Sequence, residues 1–266
     1  MSSSSTNQKP VSFYRQKKTK QSFTVLLFLA ILYASGLTVG FSFSDLQRGL
    51  PNMGDLIIEM VPPDWAYFTR ITEPILETIR MAILGTTFGA ILAMPLALLA
   101  ARNVLRAKWI NLPARWLLNL IRTIPDLLLA AIFVAIFGIG AFSGVLALIG
   151  FSLGIIGKLI YESIEGIDEG PLEAMRAVGA NQIKLIMYGV IPQVTAQFLS
   201  FTLYSFEVNV RAAAVLGLVG AGGIGLYYDQ ALGFFDYARV STIILYTLIV
   251  VLIIDFISTS LREKLS

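Results

Sequence analysis

Six apolar runs of membrane-crossing length divide this chain, at residues 23–43, 75–101, 116–137, 142–161, 185–210 and 240–259. A helix needs about 20 apolar residues to cross the hydrocarbon core of a bilayer, and each run meets that demand. The expected fold is therefore an all-α membrane protein with six transmembrane helices. Composition agrees, with 56% hydrophobic residues, 14% charged residues and a mean hydropathy of +0.75, all outside soluble norms. The far end of the fifth run is the least defined. Glu207, Asn209 and Arg211 interrupt it, and the apolar stretch 212–218 leads into a glycine cluster, so a broken or re-entrant segment is one expectation there.

The chain has neither Cys nor His, which excludes disulfides, thiolate metal sites, Cys nucleophiles and imidazole acid–base chemistry. No metal site is expected. Lys and Arg near span ends mark the cytoplasmic side. Lys9, Arg15, Lys17, Lys18 and Lys20 precede the first run; Arg102, Arg106, Lys108 and Arg115 follow the second; Arg176 and Lys184 follow the fourth; Arg262 and Lys264 follow the sixth. These all fall on one side, whereas Arg48, Arg70 and Arg239 share the other with seven carboxylates. Both termini are thus expected in the cytoplasm. The net charge of +3 reads as this topology signal and not as a nucleic-acid footprint.

The first run is too long for the h-region of a cleaved signal peptide, about 7 to 15 residues, and reads as a retained anchor. After it comes an external segment, 44–73, where Leu56, Ile57, Met60 and Val61 fit a short helix lying on the membrane or an unstructured loop. The chain divides into residues 1–74, holding the basic N-terminus, first span and external segment, and a five-helix core at 75–266.

Gly85, Gly89, Ala93, Ala97 and Ala101 strip one face of the second span of bulk. Such stripes let helices approach closely in lipid, and packing is the structural reading here, with pore lining as the alternative. Ionisable residues inside spans cost at least about 2.5 kcal/mol on insertion scales, so they face the bundle interior or a water-filled path. Glu207 and Arg211 are four apart with the acid first, the favourable order for a helical ion pair, and Asn209 lies between them. Either the pair neutralises itself against another helix, or Arg211 lines the path and offers its donors to a passing oxyanion. Arg122 and Asp126 repeat the spacing beside Pro125, as a structural or gating pair. Arg80 and Asp255 lie close enough to span ends to act as snorkelling anchors. The run 220–225 matches G-x-G-x-x-G but follows a membrane helix instead of a strand, so a dinucleotide site is excluded on context. The chain contains no G-x-x-x-x-G-K-[ST].

Residues 171–193, PLEAMRAVGANQIKLIMYGVIPQ, form a polar, helix-punctuated segment between the fourth and fifth runs. Pro171 suits the first helical position, Glu173 falls where the dipole favours a carboxylate, and Gly179 sits where a left-handed stop is easiest. An ordinary connecting helix would satisfy these signals too. The fuller spacing, Glu173-Ala174, Gly179 six residues on, then Ile191-Pro192, resembles the EAA loop through which ABC importer permeases dock onto their ATPase. Met175 replaces that pattern's second Ala and Gly189 its late Ile. Further segments, IRTIPDLLLAAIFVAIFGIGAFSGVLAL, SFEVNVRAAAVLGLVGAGGIG, FDYARVSTIILYTLIVVLIIDFIS and LGTTFGAILAMPLALLAARN, resemble the permease subunit of phosphonate ABC importers.

The resemblance implies a type I importer fold and a homodimer in the bacterial inner membrane. It implies two separate ATPase subunits, which hold the ATP and Mg, and an extracytoplasmic substrate-binding protein. The cargo would be phosphonate or a related phosphorus oxyanion. It places ATPase coupling in the loop at 162–184, on Pro171, Glu173, Ala174 and Gly179, with Pro192 beyond it; the translocation path is expected at the intramembrane polar residues Glu207, Asn209 and Arg211. An ATP-independent secondary transporter or anion channel is the alternative from another class.

Overall fold

A computed structural model describes residues 12–105 and 107–265. Lys9 and Arg106, two of the basic residues on which the expected orientation rests, lie outside the described residues, as do the side chains of Arg15, Lys17, Lys18 and Lys20. Every regular element among the described residues is helical. In order they are α1 (Ser12–Val39), α2 (Phe43–Glu59), α3 (Tyr67–Ala100), α4 (Lys108–Thr123), α5 (Asp126–Phe137), α6 (Ala141–Glu165), α7 (Gly170–Ala177), α8 (Gln182–Lys184), α9 (Ile191–Leu216), α10 (Ile224–Gly233) and α11 (Tyr237–Glu263).

The chain divides into two compact units between Ile58 and Glu59. In the first, α1 and α2 form a pair bent by 58°, with Gly40 at φ 71° between them. The external segment, open to helix or loop on sequence, is helical through Glu59. The second unit contains α3 to α11. Among the described residues four helical stretches are long and apolar enough to cross a membrane, and counting the two bent pairs as one span each gives the expected six.

Close approach of α3 and α6 organises the second unit. A Cβ on Gly85 would collide with Leu148, and one on Gly89 with Ser152. Ala93, Ala97 and Ala101 continue the same buried edge at 0% exposure. The small-residue stripe is therefore a packing face, and α3 and α6 run parallel along it. Burying apolar area contributes little in lipid, so dispersion between closely approached backbones is what holds this seam.

The third run is broken. Ile124 and Pro125 adopt extended conformations (ψ 123° and 141°), as a proline and its preceding residue favour, and α4 and α5 meet at 91°. The fifth run is continuous instead. Helix persists from Gln182 to Val219, with a π-helical turn at Leu185–Val190 and a 3-10 turn at Gly217–Val219. The wide π turn lies just ahead of Pro192, which has no N–H to continue an ordinary ladder. Gly220, at φ 84°, ends the helix in a left-handed turn, so neither break nor re-entrance occurs before the glycine cluster. Beyond it, the Ile224 N–H donates to Thr78 Oγ1 at 2.9 Å and ties the turn to α3.

Candidate coupling loop and intramembrane polar sites

The loop between α6 and α9 is built as a rigid lever. Asp168 Oδ1 accepts the Gly170 N–H at 2.9 Å, opening α7 one residue before Pro171. The helix closes with two bonds of a Schellman motif, Ala180 N to Met175 O and Gly179 N to Arg176 O, both 3.0 Å, with Gly179 at φ 74°. Leu172 is fully buried and draws the helix onto the core. Arg176 donates to Asn103 O at 2.8 Å and Gln182 to Val104 O at 2.6 Å, which fixes the loop to the connection between α3 and α4. Gln193 accepts the Asp168 N–H at 3.2 Å and donates to Gly189 O at 2.7 Å, closing the loop onto α9. Arg115 and Glu165 pair at the base of the same region, and Glu165 also accepts the Arg102 N–H at 2.9 Å.

Outward, the loop presents Pro171, Glu173, Ala174 and Gly179, all exposed, and Pro192 is exposed on α9. Val178 and Tyr188, at 83% and 74% exposure, flank them with apolar surface. A helix that buries Leu172, is anchored through Arg176 and exposes the Glu173 carboxylate is the candidate docking element. Arg176 was legible only as an orientation marker in the sequence, and its anchoring role needs the tertiary contact with Asn103.

The intramembrane residues separate into two environments. Glu207, 8% exposed, is gripped twice: Arg211 Nη2 reaches Oε1 at 2.6 Å, and Arg262 Nη2 reaches Oε2 at 3.0 Å from α11. Arg211 also faces Asp255 at 3.7 Å. Asp255, expected as a snorkelling anchor, instead joins this charge-balanced cluster of two arginines and two carboxylates. Asn209 points elsewhere. It is 0% exposed and donates to Thr86 Oγ1 and Ser152 Oγ, both at 2.6 Å, joining α9 to α3 and α6. Ser205 lies 3.3 Å from the same Ser152 hydroxyl. The structure thus brings Glu207 and Arg211 together and places Asn209 on another face, enclosed by protein within this subunit.

Arg122 and Asp126 do not pair. The i, i+4 spacing presumes a continuous helix, and the bend at Pro125 removes it; Asp126 Oδ1 instead accepts the Leu127 N–H at 2.9 Å. Arg80 pairs with Glu73 at 2.7 Å on the exposed start of α3. Sequence reasoning missed Lys158, although a lysine inside the fourth run, with Glu162 four residues on, is the signal that flagged Glu207 and Arg211. Lys158 and Glu162 stand 3.4 Å apart and, with Arg122 and Tyr204, line a cleft of about 410 Å³.

Comparison with known proteins fits this architecture. The family described as binding-protein-dependent transport system inner membrane component matches residues 93–266. The phosphite transport system permease protein PtxC of Stutzerimonas stutzeri is 38% identical over 90% of this chain and 86% of its own length. The phosphate-import permease protein PhnE of Mycolicibacterium smegmatis is 37% identical over 87% of this chain and 43% of its own length. Among solved structures, the MetNI methionine ABC transporter in an inward-facing conformation contributes a chain that superposes with a TM-score of 0.67 at 21% identity, covering 76% of this chain and 99% of that one. The fold is that of a type I ABC importer permease. The chain belongs to the binding-protein-dependent transport system inner membrane components, the multi-pass membrane subunits of ABC transporters.

Proposed function

We propose that this chain is the permease subunit of an ATP-driven importer of phosphorus oxyanions, with phosphite, phosphonate and phosphate as the cargo class. It forms the path as a homodimer, takes cargo from an extracytoplasmic binding protein, and draws work from two separate ATPase subunits that hold the ATP and Mg. Both termini and α7 lie in the cytoplasm, where ATP is available.

The observation that carries this reading is the built form of the loop at α7. Its exposed Glu173 is positioned by a buried Leu172 beneath and a Schellman closure behind, and its connections run to both the α3–α4 turn and α9. A force on α7 therefore moves several spans at once. ATP-driven closure of the ATPase dimer draws the two α7 helices together; α3, α6 and α9, locked by the small-residue seam and the Asn209 hydroxyl cluster, swing as one body. Alternating access follows from that rotation. Glu173 and Ala174 make the ATPase contact, Pro171 and Gly179 fix the length of the docking helix, and Pro192 fixes its angle to α9.

The test is Glu173→Lys in the reconstituted complex with its ATPase and binding protein. Membrane insertion stays intact, while ATP-dependent phosphite uptake and cargo-stimulated ATP hydrolysis fall to background. Uptake by the wild-type chain that persists without ATP or ATPase would establish a secondary transporter or channel instead.

A further inference from the structure

We propose that the cleft between α4, α6 and α9, lined by Arg122, Lys158 and Tyr204, is a low-affinity oxyanion site, distinct from the Arg211 cluster. That its anion is transported cargo rests on the import reading above.

Charge accounting separates the two places. At Arg211 two arginines meet two carboxylates, and Glu207 engages both guanidinium groups. That cluster is closed on itself. In the cleft, two cations face only Glu162, which pairs with Lys158 at 3.4 Å. Arg122 has no ion pair among the described residues, because the 91° bend carries Asp126 away. A net positive charge therefore remains in a partly enclosed cleft, where low-dielectric walls concentrate an anion.

The juxtaposition is built into the backbone. A Cβ on Gly154 would stand 3.1 Å from the Arg122 Cα, and one on Gly157 would stand 2.6 Å from a Leu118 methyl. Two glycines on α6 thus admit the last turns of α4 and set Arg122 one turn from Lys158. Between spans, such a lysine costs insertion free energy that an ion pair with a half-exposed Glu162 does little to offset. The chemistry fits a tetrahedral oxyanion: a planar fork of donors from Arg122, a point charge from Lys158 and a hydroxyl donor from Tyr204. Glu162 repels the same anion and keeps residence short, as a station on a conduction route requires.

The chain's lack of cysteine makes a direct test clean. Ile155→Cys places one thiol on the cleft wall, in the permease–ATPase complex held in phosphatidylcholine nanodiscs. Its modification is followed with a sulfonate-bearing and a trimethylammonium-bearing methanethiosulfonate. With every rate divided by that reagent's rate on a small free thiol, the anionic reagent should react about tenfold faster, and millimolar phosphite should slow it. Adding Lys158→Gln should erase both effects, whereas Glu162→Gln should strengthen both; the latter serves if the former fails to assemble. Equal reagent rates, or rates indifferent to phosphite, overturn the site. Protection by phosphatidylglycerol in the disc but not by phosphite makes it a lipid headgroup contact and overturns it also. ATP-driven phosphite uptake is measured in parallel. Uptake without reagent selectivity sinks this site alone, and selectivity without uptake sinks the import reading alone.

Discussion

Met175 packs against the bare backbone of Gly189: a Cβ there would lie 3.3 Å from the thioether sulfur and 3.8 Å from the Leu172 side chain. These are the two positions at which the loop departs from the pattern it resembles, and they touch. A larger residue on α7 is matched by a smaller one on the π turn, so one exchange compensates the other.

A double-mutant cycle follows from this contact. Gly189→Ile alone forces Met175 and Leu172 outward and costs about 1–3 kcal/mol in the seating of α7. Met175→Ala alone leaves a gap. The double variant restores pattern-like packing, so the two changes combine to less than their sum by about 1 kcal/mol. ATPase binding by the purified permease measures the cycle, and additive effects would show the contact to be incidental.

Glu207 and Arg211 are not equivalent despite being partners. Arg211→Ala leaves Glu207 with Arg262, whereas Glu207→Gln removes the ion pair of Arg262 and leaves Arg211 with Asp255 alone, at 3.7 Å. Removing one member of a fully buried pair costs about 3–5 kcal/mol, and the partial exposure of both arginines reduces this to roughly 2 kcal/mol. Thermal unfolding of the detergent-solubilised protein should place Glu207→Gln below Arg211→Ala. The reverse order would mean that Arg262 carries little of the interaction.

The α3–α6 seam predicts a contrast between two glycines on membrane helices. Gly89→Ala drives a methyl into Ser152 and separates the helices, while Gly36→Ala on α1 meets nothing within 4 Å. The first should lower the unfolding temperature and the yield of folded protein; the second should change neither. Equal behaviour would place the stripe outside the packing face.

Legibility in the sequence followed the range of the interaction that makes each feature. The α7 cap and stop were readable because Pro171, Glu173 and Gly179 act within their own turn. The stripe on α3 was readable because its repeat is fixed by helix geometry. Arg122 and Asp126 misled because spacing assumes an unbroken helix, and Pro125 converts four residues into a right-angled corner. The environment of Asn209 was not readable for a different reason: sharing a helix with Glu207 and Arg211 does not place it on their face, two residues being about 200° apart around a helix. The continuation of helix from α9 through the 3-10 turn to Gly220 ends in a glycine turn held by Thr78, a contact with no local signature. Arg262 and Asp255 gained their roles from helix crossing alone.

The coupling account is tested most directly by the distance between spin labels at Ala177→Cys on the two permease subunits of the assembled complex. The position is exposed on α7, and the chain offers no competing thiol. A dipolar distance that shortens when a non-hydrolysable ATP analogue binds, and lengthens again after turnover, is the predicted result. An unchanged distance, or no dipolar signal between subunits that bind their ATPase, would contradict it.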